Sequence, residues 1–197
     1  MGFANAFPFE VIGSPSEIYV GPVGTARPAI GAAVSGAWVL LGKRGNRSYA
    51  EEGVRVNSPA AYNYFRGLAS AAPIKAFRTE EDVLCQVSLA DLTLESLIHA
   101  FNQVAADVTE TGITRTINLS RGLSVLTVAV LVRAPSPYMD GGNSQFWLPS
   151  AANVSSPEFV IRRDNATIYA LEWRAMYYDD ATDGEEMGVY EAEDETT

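Results

Sequence analysis

Apolar and polar positions alternate along most of this chain, and the alternation sets the expected elements. The stretches Ser16–Thr25 (SEIYVGPVGT) and Gly36–Gly45 (GAWVLLGKRG) are short β-rich runs bounded by Gly and Pro, which marks them as strands. Between them, residues 26–35 (ARPAIGAAVS) read as loop. In the segment EGVRVNSP, Val54 and Val56 fall on one face while Arg55 and Asn57 take the other, as the period of two in a strand demands. The next segment, AAYNYFRGLASAAPIKAF, is interrupted at Gly67, Ser70 and Pro73 before PIKAF resumes the pattern. It is a long hairpin tip or a connecting arm, with a long loop expected near 58–72. Val83, Cys85 and Val87 then alternate with Leu84, Gln86 and Ser88, giving a strand with one wholly apolar face.

The period changes after that strand. Leu94, Leu97, Ile98 and Phe101 stand at i, i+3, i+4 and i+7, which places them on one stripe of a helix packed against a sheet. Ser88 with Asp91, or Asp91 alone, supplies the start signal, because either side chain can accept from backbone N–H groups left free at a helix start. The spacing predicts a single helix over about 91–102. Strand signals then return in GITRTINLS and LSVLTVAVLVRAPSPY, which read as a pair, and in NSQFWLPSA. EFVIRRDNATIYALEWRAMYY reads as a hairpin turning at Asp164 and Asn165, residue types that favour turns. The predicted class is mainly β: a sandwich or barrel of antiparallel strands with one flanking helix.

Composition adds limits. At 197 residues the chain fits one domain. Its charged share, 19%, is low enough to suggest that partners cover part of the surface. The net charge is −10, and nine of the 24 acidic residues lie from Asp179 onward, where there is no Lys or Arg. Residues 1–178 therefore form the expected domain and 179–197 an acidic segment, read first as a solvated, partly mobile tail. Met187, Val189 and Tyr190 alternate there and offer a last short strand instead. No basic footprint for tight duplex binding is present. The longest strongly apolar run, Leu123–Val132, has ten residues, against about 20 for a membrane-spanning helix, so it is expected to be a strand and no membrane partner is expected. The N-terminal residues carry no signal-peptide pattern. The single cysteine, Cys85, is expected to be a buried thiol in a reducing compartment.

Chemistry is sparse. His99 is the one histidine, so a two-His metal site is impossible and any triad would have to recruit this helical residue. Glu51 with Glu52, and Glu80, Glu81 and Asp82, are neighbours in strand-edge segments and lack the opposed geometry of a glycosidase pair. Asp179, Asp180, Asp183 and Glu185 are hard oxygen donors without the order of a Ca²⁺ loop. No nucleotide-binding glycine motif occurs. No catalytic set, metal or cofactor is expected.

One segment resembles a known family. SLADLTLESLIHAFN is similar to the stretch of long-tailed phage major tail tube proteins in which a strand runs into L-x-[DE]-[LF]-T-L-E-N-L-x-x-A-L on a single helix. Leu89, Asp91, Leu92, Thr93, Leu94, Glu95 and Leu97 match, with Ser96 in place of Asn and Phe101 in place of the last Leu. Gly53, Val54, Val56, Pro73, Ile74, Lys75, Arg78, Thr79, Glu80 and Glu81 resemble the family's G-V-x-V…G-x-x-x-P-V-K-x-x-R-T-E-E-x approach. The resemblance covers Gly53–Asn102, about a quarter of the chain, and the second half shows no distinctive match.

What the resemblance implies is a structural virion protein without enzymatic activity, located in the tail and assembled in the host bacterial cytoplasm. Six copies would close into a ring, and rings would stack into a hollow conduit through which viral DNA passes without specific binding. Its partners would be further copies of itself together with tape-measure, tail-tip and terminator proteins. Tyr62, Tyr64, Phe65, Leu68 and Ile74 would then anchor contacts to a neighbouring subunit or ring, since aromatic side chains are favoured at interface centres. The alternative is a non-catalytic β-sandwich binding module of a tail tip or decoration protein that recognises a host surface, served by exposed Trp38, Trp147 and Trp173 and the nine tyrosines, although alternation groups Trp173 with Tyr169 and Leu171 and favours core or interface for it.

Overall fold

The alternating segments form strands in the computed structural model, which describes residues 16–42, 44–66, 68, 72–120, 122–139, 141–160 and 167–194. Twelve strands are defined among them: β1 (Glu17–Gly21), β2 (Val39–Leu40), β3 (Tyr49–Asn57), β4 (Ala60–Phe65), β5 (Lys75–Glu81), β6 (Leu84–Leu89), β7 (Thr109–Thr111), β8 (Thr114–Thr116), β9 (Thr127–Pro135), β10 (Asn143–Asn153), β11 (Tyr169–Ala175) and β12 (Val189–Ala192). One α-helix, α1 (Leu94–Ala100), lies between β6 and β7. The protein is mainly β, and every strand pairing in its sheets is antiparallel.

A single main sheet runs in the order β2-β1-β9-β10-β11-β6-β3, with β12 beside β10. One face of it supplies one core: Ile18 and Val20 from β1, Val128, Val130 and Val132 from β9, Leu148 and Ala151 from β10, Leu171 and Trp173 from β11, and Cys85 and Val87 from β6. Side chains from opposite ends of the sheet share this cluster because the sheet rolls up. Its two ends meet at Tyr49, whose hydroxyl accepts from the Ile18 N–H at 2.9 Å and donates to the Leu41 carbonyl at 3.0 Å. Of the sandwich and barrel alternatives, this is the rolled form.

The outer face over β1, β9 and β10 carries a second cluster of Trp38, Ala129, Leu131 and Trp147. Residues 22–38 cover it; the stretch 26–35 is loop as expected, whereas 22–25 and 36–38, read as parts of the flanking strands, form no strand. The indole N–H groups of Trp38 and Trp147 donate to the carbonyls of Ala26 (3.2 Å) and Thr25 (3.1 Å). Buried Gln145 donates to Pro28, and Arg133 donates to Ala29, to Ala32 and to the Gln145 amide oxygen. A loop can bury an apolar face in this way because its own backbone carbonyls find donors.

Several expectations are corrected. The acidic segment docks: β12 pairs with Ser144–Trp147 of β10, Glu193 accepts from the Asn143 N–H at 2.7 Å, and Arg27 faces Glu185 and Glu191 at 3.6 Å. Of the two readings of this segment, the short strand is the one observed. β11 pairs with β10 and β6, whereas residues 158–160 form no strand; the turn expected at Asp164 and Asn165 lies outside the described residues. β8 pairs with β7 and β9 with β1 and β10, so the expected pairing between those two runs is absent, and Leu123–Leu126 precede the strand. Alternation reports which face a residue takes and is silent about which strand lies alongside.

The helix is shorter than the predicted 91–102. Thr93 occupies the N-cap position, and the Asp91 carboxylate accepts from its N–H at 2.9 Å, an Asx turn that delays the first helical residue. The helix ends as expected near Asn102, which takes a positive φ of 55°, and the Gln103 N–H donates to the Ile98 carbonyl at 2.8 Å. This is a left-handed C-terminal cap with Asn in the position usually held by Gly.

Candidate interaction surface

The segment between β3 and β6 is where the structure departs most from a self-sufficient fold. Tyr62 and Tyr64 alternate with Asn63 and Phe65 on β4, and Lys75 and Phe77 alternate with Ala76 and Arg78 on β5. The two strands pair with each other only, Tyr62 beside Arg78, Asn63 beside Phe77, Tyr64 beside Ala76 and Phe65 beside Lys75. Within the loop expected near 58–72 the structure places strand β4, with Pro59 at the root of the ribbon, while residues 67 and 69–71 lie outside the described residues. The ribbon continues the β3–β6 hairpin outward. Its root is fixed by the Asp82 N–H donating to the Pro59 carbonyl at 3.1 Å and by the Arg174 guanidinium gripping both oxygens of Asp82.

Both faces of this arm are apolar and both are open. Tyr62, Tyr64 and Ile74 share one face by alternation, and Phe65 and Phe77 the other. Tyr64 and Phe65 are each 59% exposed, and Leu68, near the tip, is fully exposed. Cations lie against the rings, with the Lys75 ammonium 4.9 Å from the Phe77 centroid and the Arg78 guanidinium 5.8 Å from that of Tyr62. A two-stranded ribbon in water is marginally stable on its own, and contiguous exposed aromatics signal an interaction site. The arrangement has the composition of an interface centre, rich in Tyr, Phe and Arg.

The other residues marked in the sequence are placed elsewhere. On α1, Ile98 is buried, Leu97 and Phe101 pack against the main core, and Phe101 stacks on Phe159 at 5.7 Å. Leu94 is half-buried and lines a groove beside β2 together with Val39, Leu40, His99 and Arg115. Burial lowers the His99 pKa to about 4, so the imidazole is neutral near pH 7. Cys85 is fully buried, and burial pushes its thiol up to about 12.

The carboxylate groupings are taken up singly. Glu52 accepts from the Ser88 hydroxyl at 3.1 Å, Glu81 pairs with Arg78 at 2.9 Å, Asp82 holds Arg174, and Glu185 faces Arg27. Among the described residues, no three His, Cys, Asp or Glu side chains converge closely enough to hold a metal ion. No helix among the described residues is long and apolar enough to cross a membrane. Trp38 and Trp147 are buried, which corrects the expectation of an exposed tryptophan platform, and Trp173 is buried with Tyr169 and Leu171, as their alternation indicates.

Two features escaped the sequence reading. Phe77 completes the second aromatic face of the arm, and its alternation with Lys75 in PIKAF was the available signal. Met176 and Tyr177 are each exposed just after β11, where the Ala175 N–H donates to the Val83 carbonyl beside the root of the arm. They were hidden because they continue the alternation of a buried strand. No protein-family model matches this chain, and a search of the curated proteins finds none similar to it.

Proposed function

We propose that this chain is a structural, non-enzymatic virion protein, a tail tube subunit that assembles into stacked hexameric rings and forms a conduit for viral DNA. The observation that carries the reading is the β4–β5 arm, a paired ribbon with aromatic side chains open on both faces. Such a ribbon gains a stable setting when another copy covers it. The rolled antiparallel sheet with one short helix on the β6 side supports the same reading, as does the resemblance of Gly53–Asn102 to tail tube proteins. The net charge of −10 suits a conduit, because each basic contact to phosphate adds counterion-release affinity that would slow passage. Tape-measure, tail-tip and terminator proteins are the partners this role requires, in a virion tail assembled in the bacterial cytoplasm.

The test is negative-stain electron microscopy of the concentrated protein beside a sizing run. Rings or hollow tubes of regular axial repeat are the expected outcome. A monodisperse monomer at every concentration, with no ordered polymer, would remove the reading.

A further inference from the structure

Two stretches of chain that are weakly buried on their own are tied to each other over one surface. Residues 22–38 contain no helix or strand, and none before Trp38 is fully buried. β12 is four residues long, and none of the four is fully buried. Segments with so little buried area belong to the low-stability end of a fold and open before the rest of it. Yet these two meet repeatedly. Arg27 of the first faces Glu185 and Glu191, each at 3.6 Å. Gly31 lies so close to Glu193 that a Cβ there would come 2.8 Å from its Oε1. Val34 and Val189 pack on the same cluster of Trp38, Ala129, Leu131 and Trp147.

Both are anchored to Gln145 on β10, which is fully buried. Its amide nitrogen donates to the Pro28 carbonyl at 2.8 Å and to the Glu191 carboxylate, and its amide oxygen accepts from Arg133 at 2.6 Å. Arg133 in turn donates to the carbonyls of Ala29 and Ala32. If one segment leaves, an N–H of this amide loses its partner and the other segment loses the contacts the two shared. The second departure then costs less than the first, which is positive coupling. We infer that residues 22–38 and β12 form one latch that opens and closes as a unit. Closed, it covers the apolar face of Ala129, Leu131 and Trp147 and the edge of β10 at Ser144–Trp147. Open, it uncovers both in one step, so carboxylates near the end of the sequence control access to a face built by β9 and β10. The latch belongs to the single chain and does not depend on assembly.

Hydrogen exchange followed by mass spectrometry on dilute full-length protein tests it, with peptides spanning 22–38 and 186–194. In the wild type, exchange in the two should rise in parallel with low concentrations of urea, because one opening exposes one area. Different slopes would overturn the inference without any substitution. Two variants then perturb the latch from opposite sides. Arg133→Met removes from β9 the donors to Ala29 and Ala32. Tyr190→Ala removes a ring that packs on Phe146 at 4.4 Å, on the face of β12 that alternates with Val189 and Glu191. Each should speed exchange in both segments by a similar factor, about fivefold or more, while peptides from β6 and β11 keep their wild-type rates. Speeding confined to the altered segment would overturn the inference, since the two would then open separately. Speeding spread equally to β6 and β11 would overturn it too, since the latch would then open only with the whole fold.

Discussion

His99 shows how position decides the chemistry of a residue type. The side chain best suited to acid–base work near neutral pH is held neutral here, its pKa lowered from an ordinary 6.5 to about 4 by burial. Below pH 6.5 the unfolded chain binds a proton that the native chain refuses, so native stability falls as pH drops from about 6.5 to about 4, by on the order of 2 kcal/mol. Above pH 6.5 both states are neutral at this residue and it contributes no pH dependence. His99→Gln cannot take up that proton. Urea unfolding at a series of pH values should show wild type losing more stability than the variant across this window, and parallel curves would contradict the assignment. The sequence identified His99 as a lone helical residue beside an apolar stripe. What it could not show is the groove, whose walls come from β2 and from Arg115 on β8.

At the scale of elements, local signals were legible and pairings were not. β6 was readable from Val83, Cys85 and Val87, and α1 from the spacing of Leu94, Leu97, Ile98 and Phe101, because both patterns are written in consecutive residues. The arm was half legible. Tyr62 and Tyr64 alternate as a strand requires, but Pro73 looked like an interruption when β5 begins two residues later and pairs back on β4. β12 was the hardest, since its acidic surroundings resemble a solvated tail and its docking depends on residues more than 40 positions earlier. Gly188 is the device that lets it dock. With φ of +128°, a Cβ there would lie 2.6 Å from both the Trp147 carbonyl oxygen and Leu148 Cδ2. Gly188→Ala should therefore cost about 1–3 kcal/mol. Hydrogen exchange should show early loss of protection at Val189–Ala192, and unchanged protection there would contradict this account.

For the molecule as a whole, closure of the rolled sheet depends on a few groups. The two ends of the sheet meet through the Tyr49 hydroxyl, which bridges to Ile18 and Leu41. Tyr49→Phe keeps the ring in the core and leaves the Ile18 N–H and the Leu41 carbonyl without that partner. The expected loss is about 1–3 kcal/mol in denaturant unfolding, with faster exchange at the Ile18 amide. No loss would mean that the seam is held by packing alone. The sequence predicted a mainly β protein, and the structure agrees. That the strands form one rolled sheet rather than two stacked ones was not written in any local segment, because it depends on which ends meet.

β10 pairs with β9 along one edge, while its other edge is divided, β12 taking Ser144–Trp147 and β11 taking Ala151–Asn153 after a bulge between Leu148 and Ala151. During synthesis the chain reaches Ser144 well before Val189. Until β12 emerges, those N–H and C=O groups of Ser144–Trp147 that point away from β9 form an open margin in the middle of the finished sheet, able to accept a strand from any nearby chain. A strand made more than 40 residues after its partner therefore acts as a built-in guard, and the interval before it arrives is when newly made copies are most exposed to joining one another in the wrong way.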